Sequence, residues 1–159
     1  IHAPYHAAID TCLARRIAPA AHAARAFSVD LSAANDEYAR RIWAHAGVWD
    51  RITGVVVTLG DGGATLDTLG FAPGSVDFVF IDHDKSAYLT DLQSILDRGW
   101  LHTGSIVVAD NVKLPGAPKY RTYMKQHEGR SWQTVEHHTH AEYQTLLPDL
   151  VLESQYLGA

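Results

Sequence analysis

The chain is 159 residues long, enough for one domain whose core needs neither disulfides nor a structural metal. Its 47% apolar and 19% charged residues are those of a globular α/β protein and exclude a disordered or fibrous one. A formal charge of −5, with no basic run longer than Arg15-Arg16 or Arg40-Arg41, excludes an electrostatic footprint for nucleic acid and points to small substrates.

In chain order, residues 6–17 suit a helix that Pro19 must end, and no strand precedes it. Residues 25–31 read as a short strand carrying Ala26, Phe27 and Val29, with Asp30 at its tip. A helix follows near residues 35–46, where Tyr38, Ile42 and Ala46 share a face and Gly47 is the natural stop. The β-branched run at 52–59 is a second strand, closed by Gly60-Asp61-Gly62-Gly63. Residues 76–82 are the most legible stretch: Val76, Phe78, Val79, Phe80 and Ile81 are entered from Pro73-Gly74 and end in charge, the pattern of a buried parallel strand.

Ser86 is positioned to cap the next helix, whose Leu89, Leu92 and Leu96 recur at helical spacing and which Gly99 closes. A further apolar run at 106–109 ends in Asp110-Asn111. Past Pro118, a helix over 119–127 gives way at Gly129 to strands at 132–138 and 150–157, near enough in sequence to pair antiparallel at the sheet edge. The alternation is α/β, and residues 1–159 read as a single domain. Cys12, the one cysteine, leaves no intramolecular disulfide and fits a reducing compartment. No apolar stretch approaches the roughly 20 residues that span a bilayer, and residues 1–20 lack a signal-peptide layout. The expectation is a cytoplasmic protein with no membrane or nucleic-acid partner.

Open α/β sheets bind ligands outside the carboxyl ends of their strands. Asp30, the Asp61 loop, Asp82-His83-Asp84-Lys85 and Asp110-Asn111 all fall there. If their strands are adjacent, Asp82 and Asp110 become neighbours, and Asn111 adds an amide oxygen. Two carboxylates and an amide are hard ligands of the kind Mg²⁺ takes; the same aspartates also serve as caps of turns after strands. A lysine at position 85 is either a solvated surface group or a proton acceptor, since positive charge and burial both disfavour an ammonium. Asp30 is the type of residue that accepts hydrogen bonds from a ribose. Gly62 and Gly63 either let backbone approach an adenine or simply turn the chain. His137, His138 and His140 invite a metal reading, but strand geometry puts His137 on the opposite face from the other two, which suits a solvent-facing strand end.

The run from Val76 through Asp82 to Lys85, then Val107-Val-Ala-Asp-Asn-Val112 with Pro115-Gly116, then Ala141-Glu-Tyr143, resembles catechol O-methyltransferase and its bacterial relatives over about residues 25–159. The resemblance implies a Rossmann-like methyltransferase sheet, mostly parallel with an antiparallel C-terminal strand pair. It also implies methyl transfer from S-adenosylmethionine to a hydroxyl of a catechol-like small molecule. It assigns Mg²⁺ to Asp82, Asp110 and Asn111, with Asn111 also meeting substrate, the role of base to Lys85, and a substrate hydrogen bond to Glu142. Cofactor contacts fall to Asp30, Leu31 and His83, and the turn with Gly62 and Gly63, read from the residues alone, is counted with them as a cofactor-binding candidate. Two departures stand out. Asp84 occupies the place of a bulky aromatic, and the family's first strand with its glycine-rich turn has no counterpart in residues 1–24, where Arg15 and Pro19 match only the helix that follows. The alternative is therefore a catalytically silent or truncated homologue with impaired cofactor binding. A helical His-Asp phosphohydrolase, suggested by His83-Asp84, conflicts with the evident strand before His83.

Overall fold

The computed structural model describes residues 25–56, 67, 69–140 and 146–158. They belong to two compact units, Ile1–Gly70 and Phe71–Ala159. The expected helix at 6–17, the loop with Gly60-Asp61-Gly62-Gly63, and Glu142 lie outside the described residues.

In the first unit, strand β1 (Ala26–Asp30) pairs in parallel with β2 (Ile52–Val56), from Ala26↔Ile52 to Asp30↔Val56, and helix α1 (Ala33–Ala46) connects them. Ser32 starts the helix, its Oγ accepting from the Asn35 N–H at 3.3 Å. Gly47 ends it at φ 71°, a left-handed conformation that glycine adopts without a side-chain penalty. The buried stripe consists of Ala39 and Trp43, joined by Val48 and Ile52, with Ile42 and Ala46 packed against it. Tyr38 departs from the expected face and is 59% exposed. The reason is area: an indole buries about 150–250 Å², worth roughly 4–6 kcal/mol at 25 cal/mol per Å², so Trp43 sets the helix rotation and Tyr38 is turned outward. On β2, Gly54 leaves room for the Asp36–Arg40 ion pair, and its carbonyl accepts from Arg40 Nη2 at 3.0 Å.

The second unit is a four-stranded sheet of order β3-β4-β6-β5. Its strands are β3 (Val76–Ile81), β4 (Leu101–Ala109), β5 (Trp132–His140) and β6 (Pro148–Tyr156). Helix α2 (Tyr88–Asp97) links β3 to β4, and helix α3 (Pro118–Gln126) precedes β5. β3 and β4 are parallel, while β6 runs antiparallel to both β4 and β5. The C-terminal pair is thus antiparallel as expected, but only β5 lies at the edge; β6 is inserted beside β4.

β4 begins five residues before the apolar run that announced it. The extra residues enter through a bulge: Gly104 adopts φ 100°, and the register with β3 shifts between Val76↔Leu101 and Phe78↔Ile106. Buried Ser105 satisfies the irregularity, donating to the Val76 carbonyl at 2.7 Å and accepting from the His102 N–H at 2.9 Å. β3 is parallel as read, yet Phe78 is 36% exposed, so this strand is not covered along its whole length.

The core of this unit gathers Leu92, Val107, Met124, Trp132 and Leu150, all at most 1% exposed. α2 and α3 meet through Tyr88 and Tyr120, whose rings stand edge-to-face with centroids 5.8 Å apart. Gly99 follows α2 at φ 65° and donates to the Leu96 carbonyl, closing the helix as expected. Ser86 does not cap it. Helix α2 starts without a side-chain cap, and Ser86 instead gives its N–H and hydroxyl to Asp84 Oδ1, at 2.8 and 2.7 Å. A carboxylate two residues upstream is the stronger local acceptor and draws the serine into a turn.

Candidate functional site at the carboxyl ends of β3 and β4

Parallel pairing of β3 with β4 carries the chain from Ile81↔Ala109 directly into Asp82 and Asp110, so both aspartates leave the sheet at the same end. The Asp110 N–H donates to the Ile81 carbonyl at 3.0 Å, continuing the ladder one residue further. Lys85 folds back over this edge. Its Nζ donates to Asp82 Oδ1 at 2.9 Å and to the Tyr88 hydroxyl at 2.5 Å, and it stands 4.8 Å from the Tyr88 ring centroid. With side chains only 15% and 19% exposed, Lys85 and Asp82 form a sheltered pair, not a solvated one.

Tyr88 ties the two strand ends together. Fully buried, it accepts from Lys85 and donates to the Asp110 carbonyl at 3.0 Å. Burial first, and then the Asp82 and Asp110 carboxylates, push the phenol well above its ordinary pKa, so it remains a neutral donor.

Asn111 has φ 51° and is the one described non-glycine residue with positive φ. Asparagine tolerates this left-handed region better than other side-chain-bearing residues. Its N–H donates to Asp110 Oδ1 at 2.7 Å, and its Nδ2 donates to Asp149 Oδ2 at 2.6 Å. A five-residue π-helical turn, Val112–Gly116, follows and packs against β6.

The electrostatics of this corner are unbalanced. Burial is the main force pushing the Asp110 carboxyl above its ordinary pKa; the Asp82 and Asp149 carboxylates add to it, while the Asn111 N–H and Lys85 oppose. Among the described residues, the carboxylates of Asp82, Asp110 and Asp149 act together on this corner with the Lys85 ammonium. The donor set of Asp82, Asp110 and the Asn111 amide oxygen has the hard chemistry for Mg²⁺. Among the described residues no cluster of three or more His, Cys, Asp or Glu side chains could hold a metal ion; this set has two carboxylates and would complete itself with the amide. The histidines of β5 are exposed, and His137 pairs with Glu153 at 2.9 Å.

The other expected positions can be located separately. Asp30, at the tip of β1, accepts from the Ser32 N–H at 2.7 Å and from the Asn35 amide at 3.2 Å. Each carboxylate oxygen has two lone pairs, so acceptor capacity remains for a ribose. Leu31 is 54% exposed. His83 Nε2 lies 2.6 Å from Asp91 Oδ2, and its ring is 5.2 Å from that of Tyr88. Asp84 is exposed, and its hydrogen bonds with Ser86 hold its carboxyl below the usual range, so its work is local turn formation. Gly62, Gly63 and Glu142 are outside the described residues. Sequence reasoning missed Tyr88 and Asp149. Tyr88 sits three residues after Lys85, where a helical turn brings it back; Asp149 stands just before the expected strand at 150–157 and carries no local mark of a site.

The fold is that of Rossmann-like methyltransferases. The O-methyltransferase TomG from Streptomyces achromogenes superposes with a TM-score of 0.73 at 23% identity, over 93% of this chain and 67% of that one. The family model described as O-methyltransferase matches residues 15–127, well over half of the chain, and the chain belongs to that family. A probable O-methyltransferase of Mycobacterium tuberculosis, Rv1703c, is 70% identical over 148 residues, which are 91% of this chain and 64% of that protein. The catechol O-methyltransferase of Sus scrofa is 32% identical over 118 residues, 71% of this chain and 59% of the relative. The chain therefore spans about three fifths of the length of these two curated relatives.

Proposed function

We propose that the chain belongs to a single methyltransferase domain that moves a methyl group from S-adenosylmethionine to a hydroxyl of a catechol-like small molecule with Mg²⁺ bound. The observation that carries this reading is the convergence of Asp82, Lys85, Asp110 and Asn111 at the ends of two adjacent parallel strands. Support for the cofactor comes from TomG, which was solved in complex with SAM, and for the substrate class from the catechol O-methyltransferase relatives. A cytoplasmic location belongs to the same proposal and rests on the single cysteine at position 12. Among the described residues no helix is long and apolar enough to cross a membrane.

Methyl transfer from a sulfonium is an in-line displacement, so the protein's work is to make the acceptor an oxyanion and to align it. Asp82, Asp110 and Asn111 would hold Mg²⁺, which when bound stabilises negative charge on a substrate oxygen. Lys85, in its neutral amine form after losing its own proton to solvent, would receive the proton of the reacting hydroxyl. Tyr88 keeps that amine beside Asp82, and Glu142 would accept from the second hydroxyl. By the family resemblance, Asp30 would accept from the cofactor's ribose, and Leu31, His83, Gly62 and Gly63 are the further candidate cofactor contacts.

Titration calorimetry with S-adenosylmethionine and Mg²⁺, combined with a methyl-transfer assay on catechol, tests the reading. Asp30→Ala should weaken cofactor binding by about tenfold or more, the value of a lost hydrogen bond to a charged group. Lys85→Ala should lower turnover and spare cofactor affinity. Folded protein that binds no cofactor would overturn the active-enzyme reading in favour of a silent homologue.

A further inference from the structure

We infer that Asp149 is a positioning residue for the candidate metal site, holding the Asn111 side chain so that its amide oxygen, and not its nitrogen, is the end offered as a ligand. The inference rests on the metal reading of Asp82, Asp110 and Asn111. Asp149 is 1% exposed, and it is one of three buried polar or charged residues among those described. Its Oδ1 accepts from the Leu150 N–H at 2.7 Å, and its Oδ2 accepts from Asn111 Nδ2 at 2.6 Å. An ionised carboxylate is an acceptor only, whereas an amide has one donor end and one acceptor end. Facing Asp149, the amide can satisfy the carboxylate in only one of its two flipped orientations. The nitrogen is committed, and the oxygen is the end left over.

That selection matters at a cation site. A side-chain amide free to turn would present its NH₂ to the metal in the wrong orientation, where it is repelled and cannot ligate. The left-handed backbone at Asn111 fixes the direction of its Cα–Cβ bond, and Asp149 then fixes the terminal torsion. Partners that orient metal ligands typically change metal affinity by about 10–100-fold when removed.

The test is Mn²⁺ binding, followed by electron paramagnetic resonance as a visible stand-in for Mg²⁺, with Mg²⁺ competition and thermal unfolding on each variant. Asp149→Asn should weaken Mn²⁺ binding by about 10–100-fold, because an amide at 149 accepts or donates equally well and no longer selects the orientation of Asn111. Adding Asn111→Asp to Asp149→Asn should restore most of the lost affinity, since a carboxylate at 111 has an oxygen at both ends and needs no orienting. Wild-type affinity in Asp149→Asn, or a folded double variant that binds as weakly as the single one, would overturn the role of Asp149 alone. A wild-type chain that binds no Mn²⁺ would overturn the metal reading and this inference with it. A measurement on the unmutated chain guards against misfolded variants: the side-chain amide protons of Asn111 should exchange slowly with solvent, and fast exchange would refute their commitment to Asp149.

Discussion

Tyr88 and Tyr120 offer a paired experiment, because two buried phenols in edge contact differ in what their hydroxyls do. The Tyr88 hydroxyl is bonded on both sides, to Lys85 Nζ at 2.5 Å and to the Asp110 carbonyl at 3.0 Å. That of Tyr120 is buried with no hydrogen-bond partner among the described residues. Replacement by phenylalanine keeps each ring in place and removes one oxygen. For Tyr88→Phe the loss is a bond to a charged donor, about 1.5–3 kcal/mol, plus a neutral bond of about 1 kcal/mol to a sheltered carbonyl. Lys85 keeps Asp82 at 2.9 Å, which recovers part of this. A net destabilisation of about 2–3 kcal/mol is expected, and at roughly 2–4 °C per kcal/mol for a chain of this size it lowers Tm by about 4–12 °C. Tyr120→Phe removes an unsatisfied buried polar atom and should leave Tm unchanged or raise it. Thermal unfolding followed by circular dichroism on the wild type and both variants decides the matter. Equal effects of the two substitutions, or a Tyr88→Phe variant as stable as the wild type, would refute the claim that the Tyr88 hydroxyl braces the strand ends.

Gly47→Ala should cost about 1–2 kcal/mol although nothing lies within 4 Å of the added methyl, because the penalty comes from φ 71° and not from crowding; denaturant unfolding that shows no loss would contradict it. His102 has its imidazole pushed above 6.5, first by the Thr103 carbonyl at 2.8 Å and then by Asp77 at 3.0 Å. Its folded pKa exceeds the unfolded one, so its contribution to stability is complete below about pH 6.5 and disappears as pH rises through the folded value. Titration of the His102 ring by NMR should give a midpoint above 6.5 that Asp77→Asn lowers, and an unchanged midpoint would sink the pairing.

What was legible in the sequence was what is encoded locally. Val76–Ile81 announced a strand through its composition, and charge at its end announced a site. The helix stops at Gly47 and Gly99 were readable because only a residue tolerant of positive φ is comfortable there. The errors came where two local signals competed or where a distant element decided. Tyr38 and Trp43 both fit a helical stripe, and buried area chose Trp43. Ser86 fits a capping role, but the Asp84 carboxylate draws it into a turn and the helix starts uncapped. The first residues of β4 were hidden by Gly104, whose bulge depends on Val76 across the sheet. Asp149 was invisible for the same reason: its partner is 38 residues away, and nothing between Asn111 and Asp149 states that β6 returns to β4.

The direction of β6 is what makes that contact available. In a parallel pair, the start of one strand lies beside the start of its neighbour; in an antiparallel pair it lies beside the neighbour's end. β6 runs against β4 with Leu152 opposite Ala109, so the residues just before Leu152 lie beside those just after Ala109. Asp149 thereby reaches Asn111 from the first turn of its own strand. A parallel β6 would have brought its other end, near Gln155 and Tyr156, to the same corner. The site is thus assembled from two pairings of opposite sense. The parallel pair of β3 and β4 puts Asp82 beside Asp110, and the antiparallel pair of β4 and β6 supplies the carboxylate that accepts from the Asn111 amide. On the metal reading proposed above, the reversal of direction at the C-terminal side of the sheet serves the candidate site as well as finishing the fold.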